Sequence, residues 1–394
     1  MKRIAMLCIH SYPLATSANH GVGGMSVYVL EVAKRLGEQG FVVDIFTHAM
    51  WGYEDFTPFR NVHIVHLHSL PMGVQTNDIP YYSSEVTDEI SRFIVENEID
   101  YDIIHSHFWV SALIGDCVSR RVHIPHVVMF HSLGAVKEAL LKNDHEHPSR
   151  VRTESSLMEN SDCIVVPNEF ELGVMQKYYG YERENYQVIP CGVDMDLFYA
   201  TVRKKAKQEI GFEKYDRVIL CIGRLEPIKG VDIAIRALSL SKSSARLVFI
   251  CGEDQGYRIG PLKQLARDCH VFERVSFIED VPNYLMQKYY SASDMVINPA
   301  YYDSCSLPVL EALACGTPVV STATGVAPDI VQDGFNGFLV ESTSSSLAKG
   351  IDQLYKKLGN RRFNKKALIK TIEDYSWDVI SSKMIDLYRE LMPE

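Results

Sequence analysis

Residues 302–320 read YDSCSLPVLEALACGTPVV, and the second half of the chain can be arranged around this stretch. It holds two carboxylates, Asp303 and Glu311, eight positions apart with a turn of small residues between them. The apolar run Leu310–Ala314 predicts a helix, and the Gly-Thr-Pro that follows predicts its end before a strand. We therefore expect Asp303 in a loop and Glu311 about two turns into the helix, whose N-terminal amides attract anions and hydroxyl groups.

Length and composition predict about two globular domains. The chain has 394 residues, 46% of them hydrophobic, and no apolar run reaches the roughly 18 residues of a membrane-spanning helix. Residues 1–10 lack the cleavage site of a signal peptide and are expected to form a buried first strand. Nine cysteines without a Cys-x-x-Cys pair predict reduced thiols and a cytoplasmic protein.

Charge argues against one class of partner. The net charge of −10 disfavours nucleic-acid binding as the main role. Only the segment 356–370 is locally basic, with no acidic residue. It predicts a solvated helix face, and contact with an anionic membrane surface is an alternative that we do not favour.

The first 50 residues show a strand, a glycine loop, a helix and a second strand. This order is typical of the start of a doubly wound α/β fold. The loop reads G-x-G-G rather than G-x-G-x-x-G, which disfavours a nicotinamide cofactor. Gly23 and Gly24 precede the helix, so their amides can approach a diphosphate, although a plain helix-entry turn is the alternative. Residues 50–100 look less regular, with long loops at 51–60 and 71–82 where we expect acceptor recognition.

A second set of alternating strands and helices begins near residue 217. Its first strand runs into a loop with Arg224 and Lys229, five positions apart and bounded by glycines. An arginine fork and a lysine point charge before a helix N-terminus predict a diphosphate clamp. The alternative is a charged solvent loop.

Two patterns invite a metal site, and neither is strong. His105 and His107 share one face of a strand, but no third ligand follows at useful spacing. His107, at the strand end, is the better functional candidate. Asp194 and Asp196 form a D-x-D triplet, which its position in a linker explains better than metal binding. We therefore expect no metal and no other cofactor.

Taken together, these stretches resemble the retaining glycosyltransferases of family four, which have the GT-B fold. Residues 303–311 are similar to the E-x7-E motif of that family, with Asp303 in place of the first Glu and Cys305-Ser306 in place of Phe-Gly. The residues His131-Ser132-Leu133-Gly134 and Lys137 resemble the branch of sucrose-phosphate synthases and of the transferase that starts mycothiol synthesis.

The resemblance implies two Rossmann-like domains that face across a cleft. Residues 1–194 would form the acceptor domain, residues 195–375 the donor domain, and a C-terminal helix at 376–394 would pack back on the first. The implied reaction transfers a hexosyl group from a nucleotide diphosphate sugar to a hydroxyl of a small molecule or glycan. A UDP-sugar is the favoured donor, and transfer would proceed with retention and without metal.

The resemblance also assigns roles to residues. The catalytic set would be His131, Asp303, Arg224 and Lys229. The donor would contact Gly23, Gly24, Arg224, Lys229, Ile278, Asp303, Ser304, Cys305, Ser306, Leu307 and Glu311. The acceptor would contact His107, Ser132, Lys137 and Arg152. Thr76 and Phe108 stand where the mycothiol relative has Lys and Tyr, which argues against a phosphorylated acceptor.

Two other functions remain open from the sequence. A catalytically inactive protein that binds sugar nucleotides is suggested by the departures at Asp303, Cys305 and Ser306. A sugar-nucleotide 2-epimerase shares the layout, but the acidic set that it needs near the sugar C2 is not evident. The sequence gives no oligomeric state.

Overall fold

A computed structural model describes residues 1–13, 24–49, 55–141, 146–213, 215, 217–252, 256–360 and 363–392. The chain divides into two compact units. Unit 1 comprises Met1–Leu14, Gly23–Pro190 and Trp377–Glu394, whereas unit 2 is built mainly from Cys191–Ser376. Within the described ranges, no helix is long and apolar enough to cross a membrane.

Unit 1 is built on one eight-stranded sheet. Its strands are β1 (Arg3–Leu7), β2 (Val42–His48), β3 (Phe56–Phe59), β4 (Val62–Leu67), β5 (Ile103–His107), β6 (His126–Met129), β7 (Cys163–Val166) and β8 (Tyr186–Val188). Their order across the sheet is β3-β4-β2-β1-β5-β6-β7-β8. All neighbours pair in parallel except β3 and β4, which are antiparallel.

The helices of unit 1 connect these strands. They are α1 (Gly24–Glu38), α2 (Ser83–Glu96), α3 (Trp109–Val122), α4 (Gly134–Leu140), α5 (Arg150–Asn160) and α6 (Glu169–Tyr179), with a 3-10 helix at Thr76–Tyr82. The chain is thus more regular between residues 55 and 100 than the sequence indicated, because β3, the 3-10 helix and α2 occupy much of it. Residues 51–54 of the predicted loop lie outside the described part.

Unit 2 repeats the layered design with a six-stranded, fully parallel sheet. Its strands are β9 (Val218–Ile222), β10 (Arg246–Cys251), β11 (Val275–Glu279), β12 (Met295–Asn298), β13 (Val319–Thr322) and β14 (Gly337–Val340), in the order β11-β10-β9-β12-β13-β14. Its helices are α7 (Arg203–Glu209), α8 (Val231–Leu240), α9 (Gly256–Asp268), α10 (Asn283–Ala292), α11 (Leu307–Ala314), α12 (Ala327–Ile330), α13 (Ser344–Asn360) and α14 (Lys365–Lys370). Single-turn 3-10 helices lie at Pro227–Lys229, Phe272–Arg274 and Glu373–Tyr375.

The central strands of both sheets are buried on both faces, which is usual where strands pair in parallel. In β1, Ile4 and Leu7 have no exposed surface, and in β9 the same holds for Val218 and Leu220. Apolar clusters lie on both sides of the second sheet, so helices cover each face. In such folds ligands bind beyond the carboxyl ends of the strands, which is where the candidate residues lie.

The last helix, α15 (Trp377–Leu391), belongs to unit 1 although it follows unit 2 in the chain. It packs against α1, and Trp377 and Tyr388 are fully buried. The Tyr388 hydroxyl lies 2.7 Å from Nδ1 of His105 on β5. Helix α15 is therefore part of the core of unit 1.

Candidate active site

The predicted diphosphate clamp and the predicted sugar carboxylate meet in unit 2. Lys229 Nζ lies 3.2 Å from Asp303 Oδ1. Their loops follow β9 and β12, which are adjacent parallel strands, so the two loops leave the sheet at the same edge. Gly230 allows the close approach, since it has a φ of +65° and a Cβ there would lie 2.1 Å from the carbonyl oxygen of Pro299. A cation and a carboxylate thus lie side by side at a strand end.

Arg224 differs from Lys229 in its surroundings. Its side chain is 61% exposed, and Nη1 lies 2.9 Å from Oε1 of Glu226 within the same loop. An exposed ion pair of this kind contributes little stability and is readily exchanged for another anion. The guanidinium can therefore turn to a diphosphate without disturbing the core.

The loop after Asp303 is tightly held. Ser306 precedes α11 with a φ of 60°, a left-handed conformation in which glycine is usual. Its hydroxyl accepts a hydrogen bond from Asn298 Nδ2 at 3.2 Å, which offsets part of that strain. Gly325, also at positive φ, packs against Cys305 and Ser306, where a Cβ would lie 2.5 Å from Ser306 Oγ. A serine therefore replaces glycine here because neighbouring residues fix the turn.

Cys305, in the middle of this loop, forms a disulfide with Cys191. The sequence predicted reduced thiols throughout, and for this pair the prediction is wrong. The two residues are 114 positions apart, so no local spacing pattern could indicate their pairing. The other seven cysteines are free.

Glu311 lies in the second turn of α11, where the sequence predicted it. One carboxylate oxygen accepts a hydrogen bond from the hydroxyl of Tyr290 on α10. Burial raises the pKa of Glu311 to about 7, and the bond from Tyr290 counteracts part of that increase. Sequence reasoning missed Tyr290, because the contact depends on how α10 packs against α11.

The remaining donor residues vary in exposure. Ser304 is buried, Leu307 is half-buried at the start of α11, and Ile278 is half-buried on β11. Gly24 is exposed at the first position of α1. Gly23 lies outside the described residues.

In unit 1, His107 and His131 come together at the ends of β5 and β6. These strands are parallel neighbours, so their carboxyl ends meet. His107 Nδ1 and His131 Nε2 are 3.0 Å apart, and Tyr28 packs its ring against both. Burial lowers the pKa of His131 to about 3 and that of His107 well below its usual range, so both rings are neutral near pH 7.

The exposure of the two histidines differs. His107 has no exposed surface, whereas His131 keeps part of its side chain open. The sequence predicted that His107 contacts an acceptor, and in this structure its Nδ1 faces the partly exposed His131. Across the described ranges, no group of three or more His, Cys, Asp or Glu residues is arranged to hold a metal ion.

Arg150 organises the neighbourhood of Ser132. Its side chain is 1% exposed, and its Nη2 donates to the carbonyl oxygen of Ser132 at 2.9 Å and to the hydroxyl at 3.1 Å. Glu154 accepts from its Nε at 2.8 Å, and Glu146 accepts from Nη1. Glu146 also lies 3.1 Å from Nζ of Lys137. The two candidates Ser132 and Lys137 are therefore linked through a buried ion network.

Arg152, the predicted acceptor contact, is exposed on the same helix. Arg150, two residues earlier, is the arginine that reaches Ser132. The Arg150–Glu154 pair has i, i+4 spacing, which is a sequence signal for a side-chain contact on one helix face. Sequence reasoning missed Arg150 because that spacing does not indicate which face is buried.

Comparison with known proteins agrees with this layout. Residues 22–197 match the family model "Glycosyltransferase Family 4", and residues 202–368 match "Glycosyl transferases group 1". The chain is 32% identical over 405 residues to a D-inositol 3-phosphate glycosyltransferase of Corynebacterium aurimucosum, covering 99% of this chain and 96% of the relative. An enzyme of the same name from Xylanimonas cellulosilytica is 31% identical, over 98% and 96% of the two chains.

Solved structures show the same fold. A sucrose-phosphate synthase from Thermosynechococcus elongatus superposes with a TM-score of 0.91 at 23% identity, over 99% of both chains. HepE from Anabaena, solved with UDP and glucose, superposes with a TM-score of 0.76 at 18% identity, over 99% of this chain and all of that one.

Proposed function

Because this chain belongs to the family 4 glycosyltransferases with the GT-B fold, we propose that it transfers a hexosyl group from a nucleotide diphosphate sugar. The acceptor is a hydroxyl of a small molecule or glycan, and the anomeric configuration is retained. A UDP-sugar is the favoured donor, and the UDP, glucose and UDP-glucose complexes of the structural neighbour HepE support that choice.

The observation that carries the proposal is the contact between Lys229 and Asp303. Breaking a glycosyl–phosphate bond leaves negative charge on a diphosphate, and a fixed cation nearby stabilises that charge. Lys229 supplies the cation, and the exposed Arg224 can add a second. Asp303, 3.2 Å from Lys229, then accepts hydrogen bonds from hydroxyls of the sugar attached to that diphosphate.

Glu311 in unit 2 and His131 in unit 1 have further proposed roles. Glu311 accepts from the nucleotide ribose through its second oxygen, since Tyr290 occupies the first. His131 is neutral near pH 7, and its ring can form one hydrogen bond with the transferred sugar besides the one that its Nε2 shares with His107. No side chain has to act as a general base if the leaving phosphate takes the acceptor proton.

The acceptor is proposed to approach Ser132, which Arg150 holds in place. The relatives are named for an inositol 3-phosphate acceptor. In this chain Arg150 is 1% exposed and paired with two carboxylates, so it does not reach an acceptor, and Thr76 and Phe108 add no charge. A hydroxyl acceptor without a phosphate is therefore the reading we favour.

The proposal is tested by incubating the protein with a panel of nucleotide diphosphate sugars and detecting release of the nucleoside diphosphate. Proton NMR of the product then gives the anomeric configuration, and excess chelator tests metal independence. Lys229→Met should weaken nucleoside diphosphate binding by about tenfold or more, the loss expected for one charge-assisted contact. Lys263→Met, an exposed lysine on α9, is the matched control.

Two results would count against the proposal. Equal nucleoside diphosphate affinity in Lys229→Met and Lys263→Met would show that Lys229 does not bind the diphosphate. A parent that binds sugar nucleotides but turns over none of them, with any acceptor, would favour the inactive binding protein, which the departures at Asp303 and Cys305 suggest.

A further inference from the structure

The Cys191–Cys305 bond lies in the proposed donor site. Cys305 is two residues after Asp303 and directly before Ser306, whereas Cys191 opens unit 2. Their Cα atoms are 6.1 Å apart, within the usual span of a disulfide. The bond thus joins the loop proposed to hold the sugar to a distant segment of the same unit.

The segment on the other side of the bond is firmly held. Val193, two residues after Cys191, donates its amide proton to the carbonyl oxygen of Tyr375 at 2.8 Å and forms a bridge with Ser376. Cys191 itself is buried. The disulfide therefore ties the Asp303 loop to a fixed point and limits its movement.

Movement of this loop matters for an aspartate. Asp303 is one methylene shorter than the glutamate of the family motif, so its loop must approach the sugar more closely to make the same hydrogen bonds. A loop fixed to Cys191 is less able to close that distance.

The bond is accessible from one side. Cys305 keeps part of its surface exposed, whereas Cys191 does not. An external thiolate can therefore attack Cys305 Sγ, break the disulfide and release Cys191 as a thiolate, which takes up a proton. A second small thiolate then attacks the small-molecule sulfur of this mixed disulfide, and Cys305 leaves as a thiolate that takes up a proton. The sum converts one protein disulfide and two small thiols into two protein thiols and one small disulfide.

We propose that Cys191 and Cys305 form a reversible redox site that controls the donor-sugar loop, and that sugar transfer is fast in the dithiol form and slow in the disulfide form. This inference rests on the proposed function. Small-molecule thiols and disulfides are the exchanging partners. The nucleoside diphosphate contacts at Lys229 and Arg224 lie in another loop, so affinity for the bare nucleoside diphosphate is the same in both forms.

The experiment compares the protein reduced with dithiothreitol and oxidised with a small disulfide. Peptide mapping locates the bond, and kcat/KM for transfer is measured in each form. Oxidation should lower kcat/KM at least about tenfold, because misplacement of a binding group by about 1 Å can cost 100-fold. The same loss is expected in Cys117→Ser, which removes an exposed thiol of unit 1. Cys191→Ser should keep the reduced rate after oxidation.

The idea is overturned if no peptide linking Cys191 and Cys305 forms on oxidation, or if the parent has the same kcat/KM in both forms. If the protein turns over no donor in either form, the proposed function fails instead. In that case the redox proposal is tested by measuring the affinity for an intact sugar nucleotide in the reduced and the oxidised forms. It should be weaker in the oxidised form, while affinity for the nucleoside diphosphate stays constant, and equal sugar-nucleotide affinities reject the proposal.

Discussion

The carboxyl group of Glu311 should make unit 2 less stable as the pH rises. Its pKa is raised from 4.5 to about 7, mainly by burial. Between these two pH values the folded protein keeps the proton while the unfolded chain has lost it. The free energy of unfolding therefore decreases as the pH rises from about 4.5 to about 7 and is constant on either side.

The size of the effect follows from the pKa change. Each pKa unit corresponds to about 1.4 kcal/mol, so the change from 4.5 to about 7 costs the folded state about 3 kcal/mol above neutral pH. Glu311→Gln has no such proton, and its amide oxygen can still accept the hydrogen bond from Tyr290. The variant should be more stable than the parent near pH 8, and this advantage should largely disappear toward pH 5.

Urea unfolding followed by circular dichroism measures the difference at each pH. Tryptophan fluorescence is not used as the probe, since Trp109 and Trp377 belong to unit 1. Tyr290→Phe is a second variant for which the direction of the pKa change can be predicted. Loss of its hydrogen bond removes an interaction that lowers the pKa of Glu311, so the pH dependence should move to higher pH.

One result would refute this reasoning. If parent and Glu311→Gln differ by the same free energy at about pH 5 and pH 8, the carboxyl is not desolvated in the folded protein.

A second consequence of the raised pKa of Glu311 concerns ligand binding. Ribose hydroxyls that donate to Glu311 favour its ionised form, so nucleoside diphosphate binding near pH 6.5 should release protons in calorimetry, and Glu311→Gln should not.

Three further predictions concern other residues. Asp303→Ala should lose sugar transfer yet bind the bare nucleoside diphosphate as the parent does, whereas Asp303→Glu should retain transfer. Unchanged turnover in the alanine variant would show that the Asp303 carboxylate does not contact the sugar. His107→Phe should lower kcat because His131 loses its hydrogen-bond partner, whereas His107→Asn, whose amide can replace Nδ1, should keep much of the parent kcat. Equal kcat in the two variants, at equal melting temperature, would contradict a positioning role for His107. Arg150→Met should lower the free energy of unfolding by about 3–5 kcal/mol because two buried carboxylates lose their cation. Arg152→Met, at an exposed position, should change it little, and similar losses in both variants would disprove the ion network.

Local patterns predicted the fold and the loop or helix position of several proposed site residues. The loop position of Asp303 and the helix position of Glu311 follow from residue order, because a turn, an apolar run and Gly-Thr-Pro act over a few residues. The loop that carries Arg224 and Lys229 was also predicted from features within a few residues. Helix α2 was missed although Val86, Ile90 and Ile94 carry a helical spacing, since the flanking irregular segments obscured it.

What the sequence could not show depends on distant contacts. The Tyr290–Glu311 bond spans two helices, and the Cys191–Cys305 bond spans 114 positions. That Arg150 rather than Arg152 contacts Ser132 depends on which face of α5 is buried. Each of these features depends on how elements pack, which residue spacing alone does not specify.

The position of α15 has a consequence for how this protein is made. Unit 1 contains the first part of the chain and also Trp377–Leu391, with Cys191–Ser376, the main part of unit 2, between them. A ribosome adding about 5–20 residues per second needs roughly 10–40 s to synthesise that intervening unit. During this interval Tyr28 and His105, which later contact Trp377 and Tyr388, have no helix against them. Unit 1 therefore cannot complete its fold until α15 has been synthesised, and until then its N-terminal part exposes the surface that this helix later covers.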